Sequence, residues 1–328
     1  MEIATSSFFE NSARRATSVR RLAAGWLCLL AVAGPAVAAD SPPPATSLRW
    51  KFKQGEILHY TMNQSTTNSY KPKNGVEATS LMSQIVDLHW TVRSVSADGA
   101  ADLTQTVDRI RTRIEGAGQP SAFEFDSDSK QPPADGPIAA QLVPLLKTLV
   151  GAEFTYKMSA MGELTDVKVP DTLMESVRQA NSGGGKTVFS DEGMKNLVTQ
   201  SGLTLPEKPI DPGGTWNHQN KVPLPLLGTM VMDKTYRLKG TDASPPRRAE
   251  IELETRVTIQ PAPQAGVALK IKSQDGKGEF AFDLDRGRVV SSRVEDLLVM
   301  TLSVQDQEID QSTKTVTEMR LSPESAGK

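Results

Sequence analysis

The chain has 328 residues, with 37 Lys and Arg against 39 Asp and Glu, a formal charge of −2, and a single cysteine. A slightly acidic balance with no basic run argues against a nucleic-acid partner, and one cysteine rules out an internal disulfide framework. At this length core burial alone can stabilise the fold, as one large domain or two medium ones.

Residues 1–38 read as a secretory signal peptide. Arg14, Arg15, Arg20 and Arg21 form a basic n-region, Leu22 to Ala33 is apolar, Gly34-Pro35 breaks the run, and Ala36-Val37-Ala38 is a small-x-small cleavage site. The run is too short for a membrane span. Arg20-Arg21 leaves twin-arginine export open beside the general route. Cleavage after Ala38 removes Cys28 and gives a mature chain of net charge −4. The expectation is a protein exported to the periplasm or the extracellular space, with no membrane span.

Residues 39–47 (ADSPPPATS) read as a disordered Pro/Ser linker. From 48 to 136 an N-terminal β-sheet half is expected. Leu58, Tyr60 and Met62 alternate with polar residues, as do Val86, Leu88, Trp90 and Val92, and Ala97-Asp98-Gly99 marks a hairpin. Residues 137–204 form a helical connector with a strand hairpin. Its helices are placed at 137–150, with Pro144 inside, at 172–180 after an Asp171 cap, and at 191–201 after a Ser190 cap. Phe154 to Leu164 supplies the hairpin. Residues 205–320 form a C-terminal β-sheet half, with strands within 236–238, 251–259, 267–271, 280–284, 289–294 and 297–304. Residues 321–328 are a disordered tail. The fold class is α+β and rich in antiparallel β-structure: two related curved sheets or half-barrels joined by a short three-helix segment.

The relation between the halves rests on an internal repeat. FEFDSD starts at Phe123 and FAFDLD at Phe280, and Gly55 and Gly214 precede them by similar spacings. Each glycine has a histidine four residues on, His59 and His218, which aligns the two.

Residues 180–187, ANSGGGKT, satisfy the loosest P-loop pattern. A phosphate cradle needs a strand before the glycines and a helix opening at Lys-Thr. Here a helix precedes them, and the next is capped only at Ser190. The stretch is a linker, and no nucleotide is expected.

A metal site has more geometric content. If strands 57–70 and 78–91 pair through a Lys73-Asn74-Gly75 turn with Gly75 left-handed, paired residue numbers sum to 148. His59 then faces His89 on the polar side, with Asp87 two residues along. Two imidazoles and a carboxylate suit Zn²⁺ or a similar ion. The alternatives stay open. A polar sheet face can bring two histidines together without a metal, one bulge would destroy the register, and the repeat, by aligning His59 with His218, would turn His59 inward. Asp126-Ser127-Asp128 and Asp283-Leu284-Asp285 lack the full calcium-loop pattern and read as acidic turns. No G-x-S-x-G, H-E-x-x-H or nucleophilic cysteine marks the mature chain, so no catalytic residue is named and no cofactor is expected.

Two stretches together carry a resemblance. LRWKFKQGEILHY (48–60) and LPEKPIDPGGTW (205–216), with the closing FAFDLDRGRVVSSRVEDLLVMTL, resemble a family of exported bacterial domains of unknown function. The resemblance implies a shared structure over nearly all of the mature chain and transfers no activity and no functional residue.

A curved sheet under an apolar helix can bury a hydrophobic ligand. The function expected is therefore a non-catalytic binding or carrier protein for a lipid or other apolar, envelope-derived ligand. The alternatives are a cell-envelope scaffold that binds a protein partner by a sheet edge, and a hydrolase built from scattered Asp, Glu and His. A helix at 137–150 that merely completes the core would remove the first argument for a ligand.

Overall fold

The computed structural model describes residues 45–116, 122–131, 133, 135–181, 202–224, 228–242, 244–261, 267–304 and 307–323, all within the compact unit Pro43–Lys328. The signal segment, most of the Pro/Ser linker, residues 182–187 of the ANSGGGKT stretch, the whole of the third helix at 191–201 and the last five residues lie outside the described residues.

The described chain forms β1 (Ile57–Pro72), β2 (Ala78–Val95), β3 (Ala101–Gly116), β4 (Phe123–Asp126), α1 (Pro137–Leu149), β5 (Glu153–Met158), β6 (Leu164–Lys168), α2 (Asp171–Asn181), β7 (Thr215–Leu224), β8 (Gly228–Asp242), β9 (Arg248–Pro261), β10 (Val267–Asp283), β11 (Arg288–Val304) and β12 (Gln307–Leu321). The antiparallel, strand-rich class is as expected. The two halves are not separate sheets, however. All strands belong to one open sheet in the order β6-β5-β3-β2-β1-β12-β11-β10-β9-β8-β7, with β4 paired to β3. Each half crosses the sheet in the same direction, and they join where β1 pairs with β12 from Tyr60↔Leu321 to Pro72↔Ile309.

The strand that makes this seam has no counterpart among the expected strands. Its inner positions are Ile309, Gln311, Thr313, Thr315, Thr317 and Met319, mostly polar, so period-two hydrophobicity is absent. Threonine's β-branched side chain nevertheless suits a pleated surface. Opposite it, β1 supplies Thr66 and Asn68 in register, with Thr66 Oγ1 and Thr315 Oγ1 3.3 Å apart and Thr313 Oγ1 donating to Asn68 Oδ1 at 2.9 Å.

The β1–β2 register is the expected one, Ile57↔Thr91 through Tyr70↔Ala78. The turn differs: Gly75 is not among the glycines with positive φ, and its N–H donates to the Pro72 carbonyl. The long run of cross-strand pairs over one apolar face fixes the register, and the turn adapts to it.

Curvature follows from who shares a core. Tyr156 and Met158 of β5 and Tyr236 and Leu238 of β8 sit in one buried cluster. Eight strand steps of about 4.8 Å would hold them roughly 38 Å apart in a flat sheet, so the sheet bends until its two wings meet. The residues between the wings come from the two resembling stretches. Trp50 is 3 % exposed and contacts Trp90 and Phe282 at 6.0 and 5.6 Å between ring centroids. Its indole N–H donates to the Leu203 carbonyl, and the Trp216 indole donates to the Thr204 carbonyl. The Arg49 guanidinium donates to the Pro206 and Glu207 carbonyls, and Thr46 bridges to Ile210. The opening strand turn and the mid-chain connector thus plug one end of the curved sheet together.

A second cluster packs under α1 and α2. Ala139 and Leu146 of α1 and Leu173 and Val177 of α2 meet Tyr60, Leu88, Ile110 and Phe154. Each fully buried aliphatic or aromatic side chain contributes roughly 1.5–3 kcal/mol. The apolar helix at 137–149 therefore completes the core. Beside it, a 390 Å³ depression between the end of β4 and α1 has a mixed lining, with Asp126, Lys130, Gln131 and Lys147 beside Phe125, Pro133 and Val150.

Candidate functional site

The inner face of the sheet has three zones along the strands. The first is the pair of aromatic and aliphatic clusters at the plugged end. The second is a polar row. In register across the sheet lie Thr66, Thr315, Asp296, Gly276, Thr255, Lys234 and His218. A Cβ on Gly276 would stand 2.8 Å from an Asp296 carboxylate oxygen, so this glycine makes room for the acid over the strand. Burial raises the Asp296 carboxyl above its usual range, with Lys234 opposing the shift. Burial lowers the Lys234 ammonium, with Asp296 opposing. His218 is lowered by burial and by Lys234. Desolvation is the largest cause at all three, and it acts on Asp296 although that residue is itself exposed, whereas Lys234 and His218 are half-buried.

Beyond this row the inner face turns apolar again. Met230 and Met232 on β8, Val257 and Ile259 on β9, Leu269 and Ile271 on β10, Leu298, Met300 and Leu302 on β11 and Ile309 on β12 share the face by register. All are half-buried, and none belongs to either core cluster or packs against one. Their strand neighbours Arg256, Thr258, Gln260, Lys270 and Lys272 are exposed on the outer face. The sheet also forks here. β9 and β10 pair from Arg248↔Asp283 only as far as Thr255↔Gly276. At the fork the Gln274 side-chain amide accepts from the Val257 N–H at 2.5 Å and donates to the Val257 carbonyl at 2.9 Å, replacing one step of the ladder.

On the outer face the histidine pair is in place: His59 is paired with His89, ring centroids 5.5 Å apart. His59 points outward and is exposed, whereas His218 faces inward, so the glycine-based repeat does not equate them. Asp87 lies on the same face but is engaged elsewhere, accepting from Arg111 at 2.7 Å and from Thr61 Oγ1 at 2.8 Å. The carboxylate at the histidines is Asp108, its Oδ1 2.8 Å from His89 Nδ1. A β-bulge places it there. Between Asp87↔Arg109 and Leu88↔Val107 the register slips by one residue, so Asp108 has no partner in the ladder and joins Arg109 on the outer face. A sequence signal exists for this: β3's buried positions run Leu103, Val107, Ile110, and the step of three from Val107 to Ile110 breaks the period of two. Nearby, Arg109 pairs with Asp126 at 2.6 Å and Asp128 at 3.3 Å, which occupies that acidic turn with an arginine. Asp283 accepts from the N–H groups of Asp285 and Arg286, the pattern of an acidic turn.

Among the described residues no helix is long and apolar enough to cross a membrane. Residues 98–287 match DUF6263, a family of unknown function, and the chain belongs to that family. The connector at 205–216 lies inside the matched stretch and the opening strand turn at 48–60 outside it. No characterised protein sequence matches the chain. Among solved structures, one described as "Lipid-protein interactions in lipovitellin" aligns with TM-score 0.48 and 12 % identity over 83 % of this chain and 26 % of that one. The chain thus spans about a quarter of that protein's length. DynF from the dynemicin biosynthesis pathway of Micromonospora chersina aligns at TM-score 0.20 and 6 % identity, over 88 % of this chain and 92 % of that one. An outer-membrane channel from Pseudomonas putida F1 aligns at 0.22 and 8 %, over 86 % and 99 %. At these scores the likenesses do not establish a common fold.

Proposed function

We propose that the chain is an exported, non-catalytic carrier that holds an apolar or amphiphilic envelope-derived ligand against the inner face of its sheet. One observation carries the reading: the half-buried aliphatic strip from Met230 to Ile309 belongs to neither core cluster. Among the described residues nothing in either core packs against this strip; contiguous apolar surface of that kind costs free energy in water, and on stable proteins it marks binding sites. The polar row at its foot, with Lys234 and Asp296, offers hydrogen-bonding and charged groups to a ligand's polar end. Export rests on the basic and apolar run of residues 1–38.

Titrating the full chain with a fluorescent fatty acid tests this. Saturable binding is expected, weakened about tenfold or more by Met300→Asp, since a charge in the strip removes the burial of one apolar side chain. Thr258→Asp, on the outer face of β9, should leave it unchanged. No saturable binding, or equal effects of the two substitutions, contradicts the reading. The fork favours a second one. Beyond Thr255 and Gly276 the facing edges of β9 and β10 do not pair with each other among the described residues, and such edges accept a partner's extended strand.

A further inference from the structure

We propose that His59, His89 and Asp108 form a binding site for one divalent transition-metal ion, with Zn²⁺ as the fitting probe, on the outer face of the sheet. The site is separate from the inner face that carries the proposed ligand. One nitrogen from each imidazole and one Asp108 oxygen all lie within 4.8 Å of one another. Around a tetrahedral ion with Zn–N and Zn–O bonds near 2.0–2.1 Å, ligand atoms sit about 3.3 Å apart. The exposed His59 ring has the freedom to close that difference by rotation about its side-chain bonds, and the scaffold beneath does not have to move.

Three features hold the donors together. The β1–β2 register sets the imidazoles directly opposite each other on adjacent strands. The bulge in β3 brings a carboxylate to His89 that regular alternation would have directed elsewhere. The two arginines on that part of the face are turned to other acids, Arg109 to Asp126 and Arg111 to Asp87, so neither cation competes for Asp108. Asp108 meets His89 Nδ1 at 2.8 Å. A metal ion would displace the shared proton and bind both groups, or bind the far nitrogen while Asp108 orients the ring. In the first arrangement the donor set is two imidazoles and one carboxylate, in the second two imidazoles with Asp108 hydrogen-bonded behind His89; both leave coordination open to solvent and suit Zn²⁺ and its first-row neighbours.

The test is calorimetric titration of the tag-free full chain, stripped with a chelator, with zinc chloride at pH 7.5. One equivalent is expected, lost in His59→Ala and in His89→Ala, and weakened about tenfold or more in Asp108→Asn. Asp87→Asn should bind like the parent chain. His59 is exposed and its replacement leaves the core intact, so an unchanged circular-dichroism spectrum and melting temperature of metal-free His59→Ala separate lost ligation from lost folding. With Co²⁺ in place of Zn²⁺, visible d–d absorption of a tetrahedral N/O site is expected. Absence of binding to the parent chain overturns the proposal. So does binding that survives His59→Ala/His89→Ala, or an Asp87→Asn loss as large as that of Asp108→Asn.

Discussion

Glu56→Gln addresses how the plugged end is held. Arg288 donates to Glu56 at 2.7 Å, and the two side chains are only 5 % and 14 % exposed. The pair joins the turn before β1 to the first residue of β11, next to Tyr60, whose hydroxyl donates to the Val289 carbonyl. Neutralising Glu56 leaves a buried guanidinium without its counter-charge, which costs about 3–5 kcal/mol. At about 2 °C per kcal/mol for a chain of this size, the melting temperature should fall on the order of 6–10 °C. The double substitution Glu56→Met/Arg288→Met removes both charges together with their desolvation cost, and should melt within a few degrees of the parent chain. Melting by circular dichroism at fixed pH and salt reads both. A Glu56→Gln shift under about 2 °C, or a double variant as unstable as the single one, would refute the claim that the pair's cost lies in an uncompensated charge.

Gly162 has φ 89°, and a Cβ there would stand 2.2 Å from the Leu203 carbonyl and 2.7 Å from the Trp50 indole nitrogen. Gly162→Ala should cost about 2 kcal/mol or more in urea unfolding, and a loss below about 0.5 kcal/mol would show that the plug yields. His218 makes stability depend on pH. Burial and Lys234 hold its folded pKa below the usual value, so the unfolded chain takes up the proton first. Its contribution is complete above about pH 6.5 and is lost as pH falls through that value toward the folded pKa. Melting temperatures between pH 7 and 5 should therefore fall less steeply for His218→Gln than for the parent chain. Equal slopes would place that cost elsewhere.

What the sequence disclosed depended on where apolar residues alternate. β2, the start of β1 and the β8–β9 pair are half-buried over aromatic clusters, so Leu58, Tyr60, Leu88, Tyr236 and Leu253 announce their strands. The seam was not legible because its inner positions are threonines, which pair across strands without leaving a hydrophobic period. Of the breaks expected within 267–304, the one between 284 and 289 is a turn, whereas those at 272–279 and 295–296 lie inside continuous strands. Gly276 and Gly278 lie inside β10, where they make room for Asp296, Leu253 and Val294 and do not mark a turn. At the outer site the histidine pairing followed from register alone. The carboxylate depended on a bulge, so Asp87 was the acid that regular alternation suggested and Asp108 the one that local backbone geometry supplied. The helix at 137–149 is core, and the candidate surface lies at the other end of the strands, on residues whose alternation is visible but whose separation from both core clusters, among the described residues, only the tertiary structure shows.

The most direct test of a carrier is native mass spectrometry of the chain purified from its own host cells, followed by organic extraction. The account predicts a mass above that of the polypeptide alone, an apolar or amphiphilic molecule in the extract, and loss of that molecule in Met300→Asp. A bare polypeptide mass with an empty extract, or a bound molecule retained at full occupancy by Met300→Asp, would contradict it.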